Sequence, residues 1–317
     1  MKKIIDVGII TQSTDGKAFL TYIAKGGRAD QYHGNGIGTN TDAFQLMLKY
    51  HFKGFEFGNW ERSRRRNYDI EKAANELPEL ARIMHTQNLG MDNQIGVAFG
   101  ARGFGGRAAA HYEPALNMIN LTKTKGYGCL AHEYGHALDY NFGSFIDQHK
   151  EYAALSGGYS IARSLPDNTG CQFRALTNQI IDSICNGNNY RTMIKQEFSD
   201  YWFHRTEIFA RFFEQYVAYK FHINNSFAGM IARSWNHYLG SSVYVAETDF
   251  MKILPLMDKL IAEMGKCMDG KSTYKLQKTP YLVPVIASPI AKPIQMPKPN
   301  TGVKKAAAVK KSKAKRK

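Results

Sequence analysis

His132, Glu133 and His136 stand as His-Glu-x-x-His within the stretch Leu121 to Tyr140, LTKTKGYGCLAHEYGHALDY. Residues four apart on an α-helix lie one above the other, about 6 Å along its axis, so both imidazoles can meet one metal ion. Glu133, one residue round, is placed to hold a water beside that ion and accept its proton, the arrangement of metal-assisted hydrolysis. The flanks favour a helix. Gly126 and Gly128 open its entry, Ala131, Ala137 and Leu138 suit a buried face, and Asn141-Phe142-Gly143 is expected to end it. Two histidines four apart also occur by chance on any helix, as packed or surface residues. A catalytic zinc needs a third protein ligand and an open position for water, so that third group decides the reading.

Several residues downstream are candidates. Asp139 is in register, but seven residues from His132 is roughly 10 Å of rise, so its short side chain reads as a helix-end group or one supporting a ligand from behind. His149 and His204 lack a convincing neighbourhood. Glu207 is the strongest candidate, at the start of TEIFARFFEQYVAYK (Thr206 to Lys220). There Thr206 is expected to cap a helix, and Ile208, Phe212, Tyr216 and Tyr219 form its apolar stripe. Arg211 and Glu214 fall on the same face as Glu207, at i+4 and i+7, so Arg211 is expected to hold either carboxylate in place behind the metal. An exposed ion pair is the plainer alternative. Cys129, three residues before His132, puts a sulfur on the same helix face as a further conceivable ligand.

Four runs together resemble a known family: FGNWERSRR (Phe57 to Arg65), GVAFGARGFGGRAAAHYEP (Gly96 to Pro114), INLTKTKGYGCLAHEYGHALD (Ile119 to Asp139) and EIFARFFEQYV (Glu207 to Val217). They are similar to the first large polyvalent protein-associated domain, a zincin-like metallopeptidase domain in polyvalent proteins of phages and conjugative elements. The resemblance runs from about Phe44 to Met264 and is weaker after Val217. It implies a metal pair at His132 and His136, a catalytic glutamate at Glu133, and a downstream glutamate block at Glu207. The cofactor expected is Zn²⁺, the substrate a protein or peptide, and the setting the host cytoplasm or a virion.

The elements that must position these residues are partly legible. Ile4 to Ile23 alternates like one or two strands, and Gly26 to Asn40 reads as an irregular turn. Thr41 or Asp42 caps a short helix through Tyr50. The cluster Glu61 to Arg66 reads as a solvated basic loop, with nucleic-acid contact as its alternative. Tyr68 to Gln87 has the spacing of a core helix that Pro78 bends or splits. Ile95 to Phe99 and Asn117 to Leu121 read as short strands around a loop, Gly100 to Glu113. Asn117 to Leu121 is expected to be the edge along which an extended substrate pairs. His111 or Tyr112 in that loop is expected to stabilise the oxyanion, packing being the equal alternative. Phe173 to Ile184 and Pro255 to Met264 read as amphipathic helices, with an aromatic turn region at Trp235 to Tyr244.

Composition bounds the rest. The 317 residues are 44% hydrophobic, enough for a substantial core. No stretch approaches a membrane span, and Asp6 interrupts the initial apolar run, so no signal peptide and no membrane association are expected. The four scattered cysteines form no C-x-x-C pair. Net charge is +15, yet residues 270–317 hold thirteen Lys or Arg and no Asp or Glu, which leaves about +2 for the remainder. Six of the ten prolines precede the final VKKAAAVKKSKAKRK, so this tail is expected to be extended, disordered and attracted to DNA or RNA phosphates.

The expected organisation is an N-terminal extension over 1–40, an α+β zincin-like domain over 41–269, mainly helical with a small sheet, and the tail over 270–317. The expected activity is zinc-dependent peptide hydrolysis. Its alternatives are a non-catalytic virion or nucleic-acid-associated protein anchored by the tail, and hydrolysis of a non-peptide amide.

Overall fold

The computed structural model describes residues 43–58, 63–101, 108–123, 125–146, 154–157, 172–226 and 228–272. The expected strands and turn of the 1–40 extension, His149, and all of the tail beyond 272 lie outside the described residues.

The described residues form a mixed α+β structure, mostly helical, with one small four-stranded sheet. In chain order these are α1 (Ala43–Tyr50), β1 (Gly54–Phe57), α2 (Ser63–Ile83), β2 (Gly96–Phe99), β3 (Ala110–Glu113), β4 (Met118–Leu121), α3 (Leu130–Ile146), α4 (Gln172–Cys185), α5 (Asn188–Lys195), α6 (Arg205–Ile223) and α7 (Glu247–Met268). Single 3₁₀ turns occupy Asp200–Phe203 and Trp235–His237.

The sheet order is β1-β2-β4-β3. β1, β2 and β4 run parallel, while β3 is antiparallel to β4. Parallel neighbours need a crossover, which α2 provides between β1 and β2. Every residue of β1, β2 and β4 is buried, as in a sheet covered on both faces. The β3–β4 hairpin closes through Pro114 to Asn117, and Asn117 takes the left-handed conformation (φ 49°) that asparagine tolerates better than most residues.

This topology corrects the expected substrate edge. β4 lies between β2 and β3, so Asn117 to Leu121 has both of its edges bonded. The strand beyond it is β3, formed from the part of the chain read as loop; four residues, Ala-His-Tyr-Glu, are too few and too polar to announce a strand.

Other expectations shift at their ends. α2 starts at Ser63, so Arg65 and Arg66 belong to a helix rather than a loop. Arg65 pairs with the buried Asp69 at 3.2 Å and lies over the rings of Tyr68 and Tyr127. Pro78 is carried inside α2 without splitting it, and Pro255 sits inside α7, which begins eight residues earlier. α3 runs past Asn141-Phe142-Gly143 to Ile146. Phe142 is fully buried against Phe173 of α4, and the Asn141 side chain donates to the Ala137 carbonyl at 2.7 Å, so both hold the helix rather than end it.

A long-range contact sets where α3 starts. Glu76 of α2 is buried and accepts from the backbone N–H groups of Met230 (3.1 and 2.9 Å) and Ile231 (2.9 Å). The carbonyls of the same two residues accept from Gly128 (3.0 Å) and Ala131 (2.8 Å). A strap held by Glu76 therefore satisfies donors at the beginning of α3 that a side-chain cap would otherwise serve. Burial pushes the Glu76 carboxyl up, and the backbone donors restrain that rise. Glu76→Ala leaves buried donors unpaired at about 1–3 kcal/mol each. Urea unfolding is expected to show a loss of about 2–5 kcal/mol, and a loss within ordinary surface-mutation scatter would refute the strap.

Candidate metal centre

Two faces of α3 do separate work. His132, Gly135, His136 and Asp139 share one face, by the i, i+3, i+4, i+7 rule. Glu133, Ala137, Tyr140 and Asn141 share the adjoining one. The first face packs along α6, the second toward β3 and β4. Gly135 lets the helices approach: a Cβ there would lie 3.0 Å from the Ala210 Cα and 3.3 Å from the Phe213 ring. Ala210 is one turn from Glu207, so this close approach brings the Glu207 carboxylate to the histidines.

The Glu207 carboxylate meets both rings. Its Oε2 is 3.4 Å from His132 Nε2 and its Oε1 is 3.3 Å from His136 Nε2. The imidazoles stand nearly perpendicular (82°), with centroids 4.9 Å apart. One ligand atom from each of the three residues lies within 4.8 Å of the others, a group that can hold a metal ion. Ligands about 2.1 Å from a tetrahedral ion are roughly 3.4 Å from one another, which matches the carboxylate–imidazole separations.

The surroundings of His132 fix which nitrogen is offered. Its Nδ1 lies 3.3 Å from Glu214 Oε2. Glu214 in turn accepts from the hydroxyls of Tyr238 (2.9 Å) and Tyr244 (3.2 Å). A carboxylate on Nδ1 keeps the proton there and leaves the Nε2 lone pair for a metal. Burial disfavours the charged imidazole of His132, but the bonds from Glu207 and Glu214 outweigh it and raise its affinity for a proton. Glu207 shows the reciprocal effect: burial opposes its charge, and the two histidines overcome that and hold it well below the usual carboxylate range. The cluster is electrostatically ready for a cation in the place of protons.

Glu133 is buried beside the pair, 6% exposed. Burial pushes its carboxyl up, against the charges of His132, His136 and His111. His111, on β3, thus lies within electrostatic reach of Glu133. Tyr112 does not join the site. Its hydroxyl donates to the Asn117 side chain (2.7 Å) and accepts from Asn141 (3.3 Å), so it ties the β3–β4 hairpin to α3 instead of meeting an oxyanion.

The remaining expected residues divide. Glu214, expected to be held by Arg211, lies against His132 Nδ1 instead. Asp139 is not at a helix end. It is fully buried and accepts from the N–H and hydroxyl of Ser156, both at 2.7 Å, and burial pushes its carboxyl up to about 6 against those bonds. Arg211 holds neither carboxylate: its guanidinium donates to the Trp202 carbonyl and lies 5.1 Å from that indole's centroid. Thr206 lies inside α6, with His204 at the cap position, so it does not cap the helix. Cys129 precedes α3 and is not part of the three-residue group. Its thiol approaches the Lys125 and Tyr127 carbonyls, and burial, with Glu214 and Glu133 adding to it, pushes its pKa up to about 11.

Four contributors were not read from the sequence. Glu76 holds the strap at the start of α3, Tyr238 and Tyr244 hold Glu214, and the exposed Tyr201 hydrogen-bonds Glu207. The only cue to Tyr238 and Tyr244 was the aromatic density of Trp235 to Tyr244.

No curated protein and no solved structure matches the chain. Of the four runs that suggested a family, only the one beginning at Glu207 falls inside the span matched by a family model, and the matched span continues well past Val217 to Met268. It takes in α6, with Glu207, Arg211 and Glu214, and α7, while α3 with its histidines lies outside it. Residues 193–268 match the model of large polyvalent protein-associated domain 1.

Proposed function

We propose that this chain is a zinc-dependent metallopeptidase of zincin-like architecture, encoded by a phage or mobile element and acting on a protein or peptide. The observation that carries the reading is the convergence of His132, His136 and Glu207 within 4.8 Å, with the buried Glu133 alongside. Two imidazoles and a carboxylate are a zinc donor set that leaves a position open, as in hydrolytic rather than structural sites. A zinc ion held there supplies a Lewis acid that polarises the scissile carbonyl and acidifies water.

The protein's own groups carry the proton. Glu133 accepts it from the attacking water and returns it to the leaving nitrogen, and the raised proton affinity conferred by burial suits both roles. Glu214 keeps the proton of His132 on Nδ1. His111, which feels the charge of Glu133, takes the oxyanion role in preference to Tyr112. The test is a peptide library incubated with zinc-loaded full-length protein and read by mass spectrometry. New termini that vanish on chelation support the reading, and an untouched library rejects it.

A second proposal concerns the tail, and thirteen Lys or Arg without one Asp or Glu in residues 270–317 support it. It binds DNA or RNA non-specifically by displacing counterions from phosphates, so affinity falls steeply with salt. A chain ending at residue 269 is expected to lose that salt-dependent binding; equal binding by both chains would contradict it. Among the described residues, no helix is long and apolar enough to cross a membrane.

A further inference from the structure

The 3₁₀ turn Asp200–Phe203 leads into α6 and lies against the face that carries Glu207. Two contacts anchor it. Phe203 is buried and meets Tyr190 of α5 edge-on, with centroids 5.4 Å apart. Arg211, one turn along α6 from Glu207, donates to the Trp202 carbonyl and lies 5.1 Å from that indole's centroid.

Tyr201 is turned outward from this anchor. It is 51% exposed, while its hydroxyl bonds Glu207 and lies within electrostatic reach of Glu133. Its ring stands edge-on to Trp202 (5.8 Å) and to His204 (6.1 Å), and Trp202 meets Phe198 in the same way (5.9 Å). Phe198, Trp202 and His204 are each half-buried. One exposed apolar residue is ordinary, but four adjoining rings that reach a metal-binding carboxylate form a patch of the kind that marks a binding surface.

We propose that these rings are the specificity-determining wall of the metal centre, and that Tyr201 receives a large apolar side chain, aromatic above all, from a residue flanking the scissile bond of a peptide substrate. This rests on the metallopeptidase reading. Ring pairs gain from edge-to-face geometry beyond the area they bury, and the anchored turn presents its rings already in place. Glu197 and Asp200, exposed on the same stretch, and Glu133 and Glu207 at the centre repel an acidic side chain. A cationic one is opposed by Arg211, which already lies against Trp202 and whose charge reaches Tyr201.

Calorimetric titration of zinc-loaded full-length protein with 3-phenylpropanohydroxamate, acetohydroxamate and 4-aminobutanohydroxamate tests this without any cleavage. The hydroxamate group is common to the three, so ratios of affinity report the attached side chain alone. The phenyl compound is expected to bind at least about tenfold more tightly than acetohydroxamate, and the amine no more tightly than acetohydroxamate. Tyr201→Ala is expected to cut the phenyl-to-methyl ratio at least about threefold, and Tyr201→Phe, which keeps the ring and removes the hydroxyl, to preserve it. A ratio near one in the parent, a ratio unchanged in Tyr201→Ala or lost in Tyr201→Phe, or tighter binding of the amine than of the phenyl compound overturns the proposal. Equal binding of all three leaves the zinc centre standing and removes only its wall, whereas binding of none removes the zinc centre and the wall together.

Discussion

A Glu133→Gln protein is expected to bind zinc like the parent and to cleave peptides at least about 100-fold more slowly, the lower end of what a positioned general base contributes. The substitution keeps the shape and burial of the side chain and removes only its ability to take a proton. Glu133 is on the α3 face that turns toward the sheet, beside His111, and not on the face shared by His132 and His136, so the metal site is left intact. Burial raises the carboxyl of Glu133 while the neighbouring imidazoles restrain it. Matched zinc contents with unequal cleavage, measured on the same two preparations, would support the assignment. Cleavage at the parent rate would remove Glu133 from the chemistry.

Glu207→Ala is expected to produce the largest loss of metal affinity of any single change on α6, larger than that of Glu214→Ala. Glu207 approaches both Nε2 atoms, at 3.4 and 3.3 Å, whereas Glu214 approaches only His132 Nδ1, at 3.3 Å. Groups acting through a ligand in this way typically change metal affinity roughly 10 to 100-fold, so Glu214→Ala should fall in that range and Glu207→Ala beyond it. Competition titration with a chromophoric chelator measures both. The reverse ranking would mean that Glu207 is a bystander that neutralises the two histidines.

The histidine pair was legible because helical spacing alone brings residues four apart together, and Glu207 because a helix with an apolar stripe presents one polar face. What joins them was present but unreadable. Gly135 and Ala210 are small residues whose significance depends on how α3 and α6 cross, and nothing local states that crossing. Arg211 illustrates the limit of face-sharing arguments: it shares a helix face with two carboxylates, but Trp202, from the preceding 3₁₀ turn, supplies both a carbonyl and a ring, and takes the guanidinium away. Glu76 lies in the middle of α2, and nothing adjacent to it in the chain marks it as buried. Its partners, Met230 and Ile231, are more than 150 positions away. The strand β3 was missed because Tyr112 and His111 carry no alternating apolar pattern over so short a run, and its pairing with β4 is what defines it.

Two imidazoles and one carboxylate are expected to meet at a single ion, and X-ray absorption at the zinc edge of the purified full-length protein tests this most directly. The spectrum should show imidazole nitrogen at roughly 2.0–2.1 Å and oxygen at roughly 2.0–2.2 Å, without a sulfur shell near 2.3 Å, and the imidazole signature should disappear in a His132→Ala, His136→Ala protein. A sulfur shell, or an imidazole signal that persists in that double variant, would contradict it.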